Sequence, residues 1–308
     1  MYNSSILKSI FALGLVVGFV NFGFTQDDDL LKELDSLSQE KTKLEPPAFK
    51  ALQIGNIQST KIVHKGDLYL IVAHRFGSVK GGIREFYGLD QANTKIQFLY
   101  GVSNRLQLGI SRDSYEKTYS GAVKFRCYQQ SDKMPINLVL YTSMDINTLL
   151  SKNSYPGLLF FDRFAYTTQI LASRRFSEKL SLEIAPIYVR QNVVDLNFAK
   201  TTISNTESLS YFLFPQPWNQ LLLAVGGRYK LTKRLSVNMD YAYNFSKNKN
   251  ALYQNPLTMG MDIETGGHVF QLLFTNSRSS NDGAFLTEAL GDWSKGDISF
   301  GFNILRVF

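Results

Sequence analysis

Charged side chains recur on one face of segments that otherwise read as strands. Lys95, Lys124, Arg126, Arg163, Arg175 and Arg228 stand opposite apolar residues, and so do Asp145, Glu183, Asp240, Asp262 and Glu264. Successive side chains of a strand point to opposite faces, so these charges share the face that the apolar residues leave. If the apolar faces meet lipid, the charges line an enclosed interior carrying both signs. Arg126, Arg175, Glu183, Arg228, Asp262 and Glu264 fall near short turns and are predicted to gather in one charged layer, with Arg163 a further lumen charge. Two chemistries suit such a layer. One is an ion-pair network that fills a narrow barrel; the other is a set of charged rings that selects small ions or metabolites.

Enzymatic chemistry has little to build on. His64, His74 and His268 come without ligand spacing, and the sequence has no zinc pattern, phosphate loop or Gly-x-Ser-x-Gly elbow. His268 alone is placed to act as the base of a lipid-cleaving enzyme, the weakest of the functional readings. No catalytic residue, metal or cofactor is expected. Tyr87 to Asp90 and Tyr115 to Tyr119 sit beside long loops, where bracing a loop folded into the mouth is favoured over touching a ligand. Tyr188, Tyr229, Tyr241 and Tyr243 are assigned to girdles at the lipid interface.

The elements that must position these residues are strands. Leu257, Met259, Met261 and Ile263 alternate with Thr258, Gly260, Asp262 and Glu264, and Thr265-Gly266-Gly267 supplies a tight hairpin into His268 to Thr275. The same alternation holds near Leu68, Ile96, Leu106, Val123, Leu138, Phe164, Leu180, Leu221, Leu235 and Ile298, which gives about twelve strands, an even number. Short turns near Asn104, Glu178, Lys233 and Gly266 fall on one end. Longer loops, Gly77 to Asn93, Ile146 to Phe161, Gln191 to Trp218 and Asn276 to Lys295, fall on the other. The expected fold is all-β: a transmembrane antiparallel β-barrel of about twelve strands that ends on an aromatic, Phe308, preceded by a short helical or extended periplasmic arm.

Residues 1–25 read as a signal peptide, with Lys8 ahead of the apolar run Ile10 to Phe22 and cleavage before Gln26. No later apolar stretch is long enough for a membrane helix, so only a closed barrel could span. Residues 26–65 form an acidic arm, periplasmic or lumenal, and residues 66–308 the barrel. Gln26 to Glu45 holds seven acids against three lysines, whereas the whole chain is formally +7. Leu30, Leu31, Leu34 and Leu37 lie at helical spacing until Pro46-Pro47. Ala48 to Val63 is read as extended and is left open between a periplasmic arm, a segment inside the lumen and a disordered leader, with a flexible arm carrying the most weight. The lone Cys127 can form no internal disulfide. Outer-membrane lipid is the expected partner, with a periplasmic protein as a further one through residues 26–45, and nothing points to nucleic acid.

Several blocks then carry a likeness: His74-Arg75-Phe76-Gly77, Tyr87-Gly88-Leu89-Asp90, Tyr115 to Tyr119, Gly227 to Arg234, Asp262 to Leu272 and Gly301-Phe302-Asn303. Through them the chain resembles, from about Ala48 to Phe308, a β-barrel family of unknown function from the outer membranes of Bacteroidota. The resemblance implies an outer-membrane barrel and a Gram-negative source, and brings no activity. Arg306 stands where such barrels usually carry an aromatic two residues before the terminal one. The first functional expectation is a small passive channel for solutes or ions, gated by the N-terminal arm. The second is a plugged barrel that docks periplasmic partners.

Overall fold

The alternation is realised as twelve antiparallel strands that close on themselves, each pairing with its neighbours in sequence and the first with the last. The structure is a computed structural model and describes residues 43–153, 155–193, 218–247, 253–266 and 268–308. These belong to one compact unit, Lys43–Phe308. The predicted signal peptide, the helical spacing of Leu30 to Leu37 and most of the loop before Trp218 lie outside the described residues.

The strands are β1 Leu68–Ser78, β2 Ala92–Gly101, β3 Leu106–Asp113, β4 Thr118–Tyr128, β5 Asn137–Ile146 and β6 Phe164–Arg175. They continue as β7 Leu180–Gln191, β8 Trp218–Lys230, β9 Leu235–Asn244, β10 Leu257–Thr265, β11 His268–Thr275 and β12 Ser299–Val307. At 8 to 13 residues they match the length a tilted strand needs to cross a bilayer. Chain direction fixes two ends. The inner end carries the short turns, the start of β1 and the C-terminus; the outer end carries the long loops. Closure rests on β1 and β12, paired from Tyr69 with Val307 to Ser78 with Ser299. Phe308 adds a further hydrogen bond, its amide donating to the Leu68 carbonyl at 2.9 Å. Arg306, the unusual residue there, lies 4.8 Å from the Phe308 ring centre and packs over it. A closed sheet leaves no strand edge unpaired, which lipid would not tolerate.

The outward face is mainly apolar, with Ile96, Phe98, Leu108, Ile110, Leu140, Ile170, Leu182, Leu221 and Val225 exposed. Tyr119, Tyr188 and Tyr243 stand on it near the outer end, and Tyr100, Tyr128 and Tyr229 near the inner end. These form the two aromatic girdles of a bilayer-spanning barrel.

The inward face differs from a polar lining. Val139 and Tyr141 of β5, Ala185, Ile187 and Val189 of β7, and Leu222 and Ala224 of β8 are buried inside the barrel. They pack against Phe49, Ile54 and Ile57, and against Phe285 and Leu286. Two segments therefore occupy the lumen. Residues 44–65 enter at the inner end, where Leu44 bridges Ser131, and fold into a hairpin. Gln53 bridges Gln58, and the Ser59 amide donates to the Leu52 carbonyl at 3.0 Å. The loop between β11 and β12 turns in from the outer end and carries a short helix, α1 (Asp282–Thr287), every residue of which is buried. Its N-cap Asn281 accepts from the amides of Gly283 and Ala284. The two intruders touch where Gln58 Nε2 donates to Asp282 Oδ1 at 2.8 Å.

The hairpin rejoins the wall at a place that only glycine permits. A Cβ on Gly101 would stand 1.8 Å from the His64 carbonyl oxygen, while the Gly66 amide donates to the Gly101 carbonyl at 2.8 Å. Gly101→Ala is expected to displace residues 63–66 and destabilise the folded barrel by about 1–3 kcal/mol, as overpacking does. A lower urea midpoint for unfolding in detergent would report it, and an unchanged midpoint would refute it.

Candidate functional site

An extended segment inside a barrel has backbone donors and acceptors that no sheet neighbour satisfies, and leaving them bare in a filled lumen is costly. The lumen charges answer that need. Lys124 Nζ, fully buried, donates to the carbonyls of Ser59 at 3.1 Å, Leu52 at 3.3 Å and Lys61 at 3.4 Å. Glu183 accepts from the Thr60 amide at 2.9 Å, and Asp240 from the Asn56 amide at 2.8 Å. Gln271 Nε2 donates to the carbonyls of Gln53 and Ile54, and Gln107 accepts from the Val63 amide. Wall side chains thus stand in for a neighbouring strand.

Asn56, at the hairpin tip, is the most heavily bound residue. Arg75 donates to its Oδ1 from Nη2 at 2.6 Å and from Nε at 3.2 Å, and Asn56 Nδ2 donates to Thr258 and Thr275. Thr258 and Thr275 stand near the outer ends of β10 and β11, so the hairpin runs nearly the full height of the barrel. A Cβ on Gly55 would lie 2.5 Å from Asp240 Oδ2, and glycine lets the tip approach that closely. Arg75 is held in turn by Asn303 Oδ1 at 2.9 Å and by the carbonyls of His74 and Phe302. From the outer side, Asp282 also accepts from the Tyr141 hydroxyl at 2.8 Å and lies 3.6 Å from Lys95. Tyr115 donates to Glu288, bracing the inturned loop. Burial and the Glu288 carboxylate push the Tyr115 phenol pKa up, which keeps it a donor.

Of the charges expected in one layer, three meet. Arg175, Arg228 and Glu264 line a cavity of about 320 Å³ at the inner end, together with Lys50, Lys61 and His268. Glu264 pairs with Lys50 at 3.0 Å and Arg175 with Glu45 at 3.5 Å. Arg228 is buried, and its Nε and Nη1 have no hydrogen-bond partner. Glu183 and Asp262 lie deeper and are engaged by Thr60 and by Asn238 and Gln271. Arg126 reaches away to the Asn104 carbonyl and Gln129 at the inner turns. Arg163 sits at the opposite, outer end, where its guanidinium donates to the Leu150 carbonyl. His268 stacks against Phe270, 6.3 Å between ring centres.

Sequence reasoning passed over Arg75, Asn56 and Asp282. Arg75 shares the inward parity of Tyr69, Ile71 and Ala73, which was the available signal. Asp282 lies in a stretch, Ser277 to Gly283, whose polar composition reads as an exposed loop; its three serines and Asn281 are buried with it.

Lys61 gives this inner cavity a pH signature. Burial first, then the nearby Lys50, lowers its pKa from 10.5 to about 8, against the opposing pull of Glu264. The folded pKa lies below the unfolded one, so the unfolded chain binds more protons between pH 8 and 10.5, and stability rises across that window. Unfolding midpoints of the wild type are expected to rise there relative to Lys61→Met. Parallel profiles would show that Lys61 titrates as in the unfolded chain.

None of the curated proteins compared with the chain matches it. Among solved structures it is similar to the NanC porin (TM-score 0.47, 9% identity, 78% of this chain and 98% of that one). It is also similar to the KdgM porin (0.43, 8%, 78% and 99%) and to an outer membrane channel from Pseudomonas putida F1 (0.42, 10%, 80% and 97%). Residues 49–308 match the family described as Membrane bound beta barrel domain (DUF5777), a span that takes in the lumenal hairpin from Phe49 as well as every strand. The chain is therefore a member of that membrane-bound barrel family, with its charged interior closed off from lipid.

Proposed function

We propose that this protein is a gated channel for small solutes or ions, held shut by its own N-terminal hairpin. The observation that carries the reading is how the hairpin is held. Between its entry at Leu44-Glu45, which pair with Gln130 and Ser131, and the link Gly66-Asp67, it is held by side-chain hydrogen bonds to its backbone, from Lys124, Glu183, Asp240 and Gln271. Water can replace each of these bonds once the hairpin leaves, and the wall strands keep all their own pairings. A passage lined with charges of both signs would then run beside Arg75, Asp240 and Glu183. The inner cavity, where Arg175, Arg228 and Glu264 meet, stands at the periplasmic mouth of that passage and would act as its charge filter. Conductance of the refolded chain in planar lipid, with and without residues 43–63, tests the proposal.

A second reading has its own support. Phe49, Ile54, Ile57, Phe285 and Leu286 join the wall residues in one buried apolar cluster, which suits a permanently filled barrel. In that case the acidic residues 26–45 would dock a periplasmic partner. Silence of both forms in the same recording, with partners lost on deleting residues 26–42, would favour it.

A further inference from the structure

The inner cavity, of about 320 Å³, holds more positive charge than its own carboxylates answer. Five cations line it, Lys50, Lys61, Arg175, Arg228 and Lys230, against Glu178 and Glu264. Even with Glu45, the partner of Arg175, counted in, two positive charges are left over. The pairs that do form are partly exposed, Lys50 with Glu264 and Arg175 with Glu45, where water screens them. Lys61 Nζ donates to the Lys50 carbonyl, and an ammonium has two further donors. Lys230 is half-buried and in no ion pair among the described residues. Arg228 reaches the lining with two of its nitrogens meeting no acceptor, and the neighbouring Asp262 is taken up by Asn238 and Gln271. Lys61 shows the strain: burial first, then Lys50 and, more weakly, Arg228 loosen its proton. An anion among these groups relieves the repulsion they bear.

The rest of the lining says which anion. Between the cations the surface is apolar, with Pro46, Phe49, Tyr69 and Leu305. Val269 faces Leu305 across one strand pair and Glu264 across the next, all on the inward side, so the cavity opens to the aqueous mouth of the lumen and not to the bilayer. A guanidinium fork beside ammonium groups is suited to phosphate, whose monoester carries two charges on one head. We infer that the inner cavity binds a small organic phosphate monoester from the aqueous side, its phosphate among Lys61, Lys230 and Arg228 and its apolar body against Phe49 and Leu305. The inference takes from the proposed channel only the reading of this cavity as a charged mouth. It holds for the plugged barrel whether or not the hairpin ever leaves.

The test is calorimetric titration of the full refolded barrel in detergent at pH 8 with phenyl phosphate, with phenol and inorganic phosphate as controls for the body and the head alone. Saturable one-site binding of phenyl phosphate is expected, with none of phenol and inorganic phosphate weaker by about tenfold or more. Binding should take up protons, read from heats in buffers of different ionisation enthalpy, because a neighbouring dianion restores the proton to Lys61. Lys61→Met should abolish that uptake and weaken binding. Arg228→Gln should weaken binding by about tenfold or more, and Lys230→Gln, which should also weaken it, decides the matter if Arg228→Gln does not fold. Lys80→Gln, in the outer loop after β1, should leave it unchanged. No saturable heat, equal affinity for phenol or inorganic phosphate, or wild-type affinity in the folded cavity variants would overturn the inference. Displacement of phenyl phosphate by a short-chain phosphatidic acid would assign the site to a lipid headgroup and overturn it too. Silent recordings from both barrel forms beside intact binding would sink the channel alone, and conductance without binding would sink this inference alone.

Discussion

Removing residues 43–63 should convert a silent barrel into a conducting one. The intact chain is expected to insert into planar lipid without steady openings, because the hairpin runs from the inner turns to Thr258 and Thr275. The deleted form should give discrete steps in every inserted molecule. The barrel itself has reason to survive: each strand keeps two neighbours, and β1 is still zipped to β12 and Phe308. What the deletion exposes is a wall of mixed character. Lys124, Glu183 and Asp240 lose backbone partners but gain water, and Val139, Leu171 and Ile187 become wet. The inturned loop stays on the side of β2 to β7, held by Asp113, Tyr141 and Lys95, so the steps should be small for twelve strands. Opening is expected on the side of β8 to β12 and β1. If both forms are silent while a gel shows both folded by their heat-modifiable mobility, the channel reading fails. If the intact chain conducts as much as the deleted one, the hairpin is no plug.

Much of the wall was legible in the residue pattern, because period-two alternation and loop asymmetry are local signals. Twelve strands, the placing of short turns at one end and the inward direction of Lys124, Glu183, Asp240 and Asp262 all follow from it. The lumen was far less legible. Ala48 to Val63 alternates too weakly to reveal a partner, since its backbone is satisfied by residues 44 to 248 positions away: Val63 by Gln107, Thr60 by Glu183, Gly55 by Asn303. Strands facing an occupied lumen also lose their polar face. Glu183 to Val189 reads as nearly continuous apolar sequence because Ala185, Ile187 and Val189 meet the plug while Ile184 and Tyr188 meet lipid. Lys124, Glu183, Asp240 and Asp262 face the lumen while Arg126 and Arg163 lie at the turns and loops, and neither chemistry first considered for the charges describes most of their contacts. They chiefly solvate a peptide backbone. Only at the inner cavity, with Arg175, Arg228 and Glu264, does a layer of charges remain.

Asn56→Ala should loosen the plug more than any other single change in it. The substitution keeps the backbone amide bond to Asp240 but removes the acceptor that holds Arg75 Nε and Nη2 and the donor that reaches Thr258 and Thr275. The two threonines already lie 3.2 Å apart and can satisfy each other. Arg75 cannot adapt as easily. It is 1% exposed and keeps only Asn303 and two carbonyls for its other nitrogen. Stranding part of a buried guanidinium costs about 3–5 kcal/mol. That cost falls on the plugged state alone, because withdrawal of the hairpin admits water to Arg75. The equilibrium between plugged and open should therefore shift by a factor on the order of 10²–10⁴. Hydrogen exchange of residues 48–63, followed by mass spectrometry, should accelerate by that factor while the wall strands keep their protection. Asn56→Asp should accelerate it less, since a carboxylate still receives Arg75 and both threonine hydroxyls can donate to it. Equal protection in Asn56→Ala and the wild type would mean that the packing of Phe49, Ile54 and Ile57 holds the hairpin, with the polar tip adding nothing. Faster exchange of plug and wall together would place Asn56 in the stability of the whole barrel rather than in its gate.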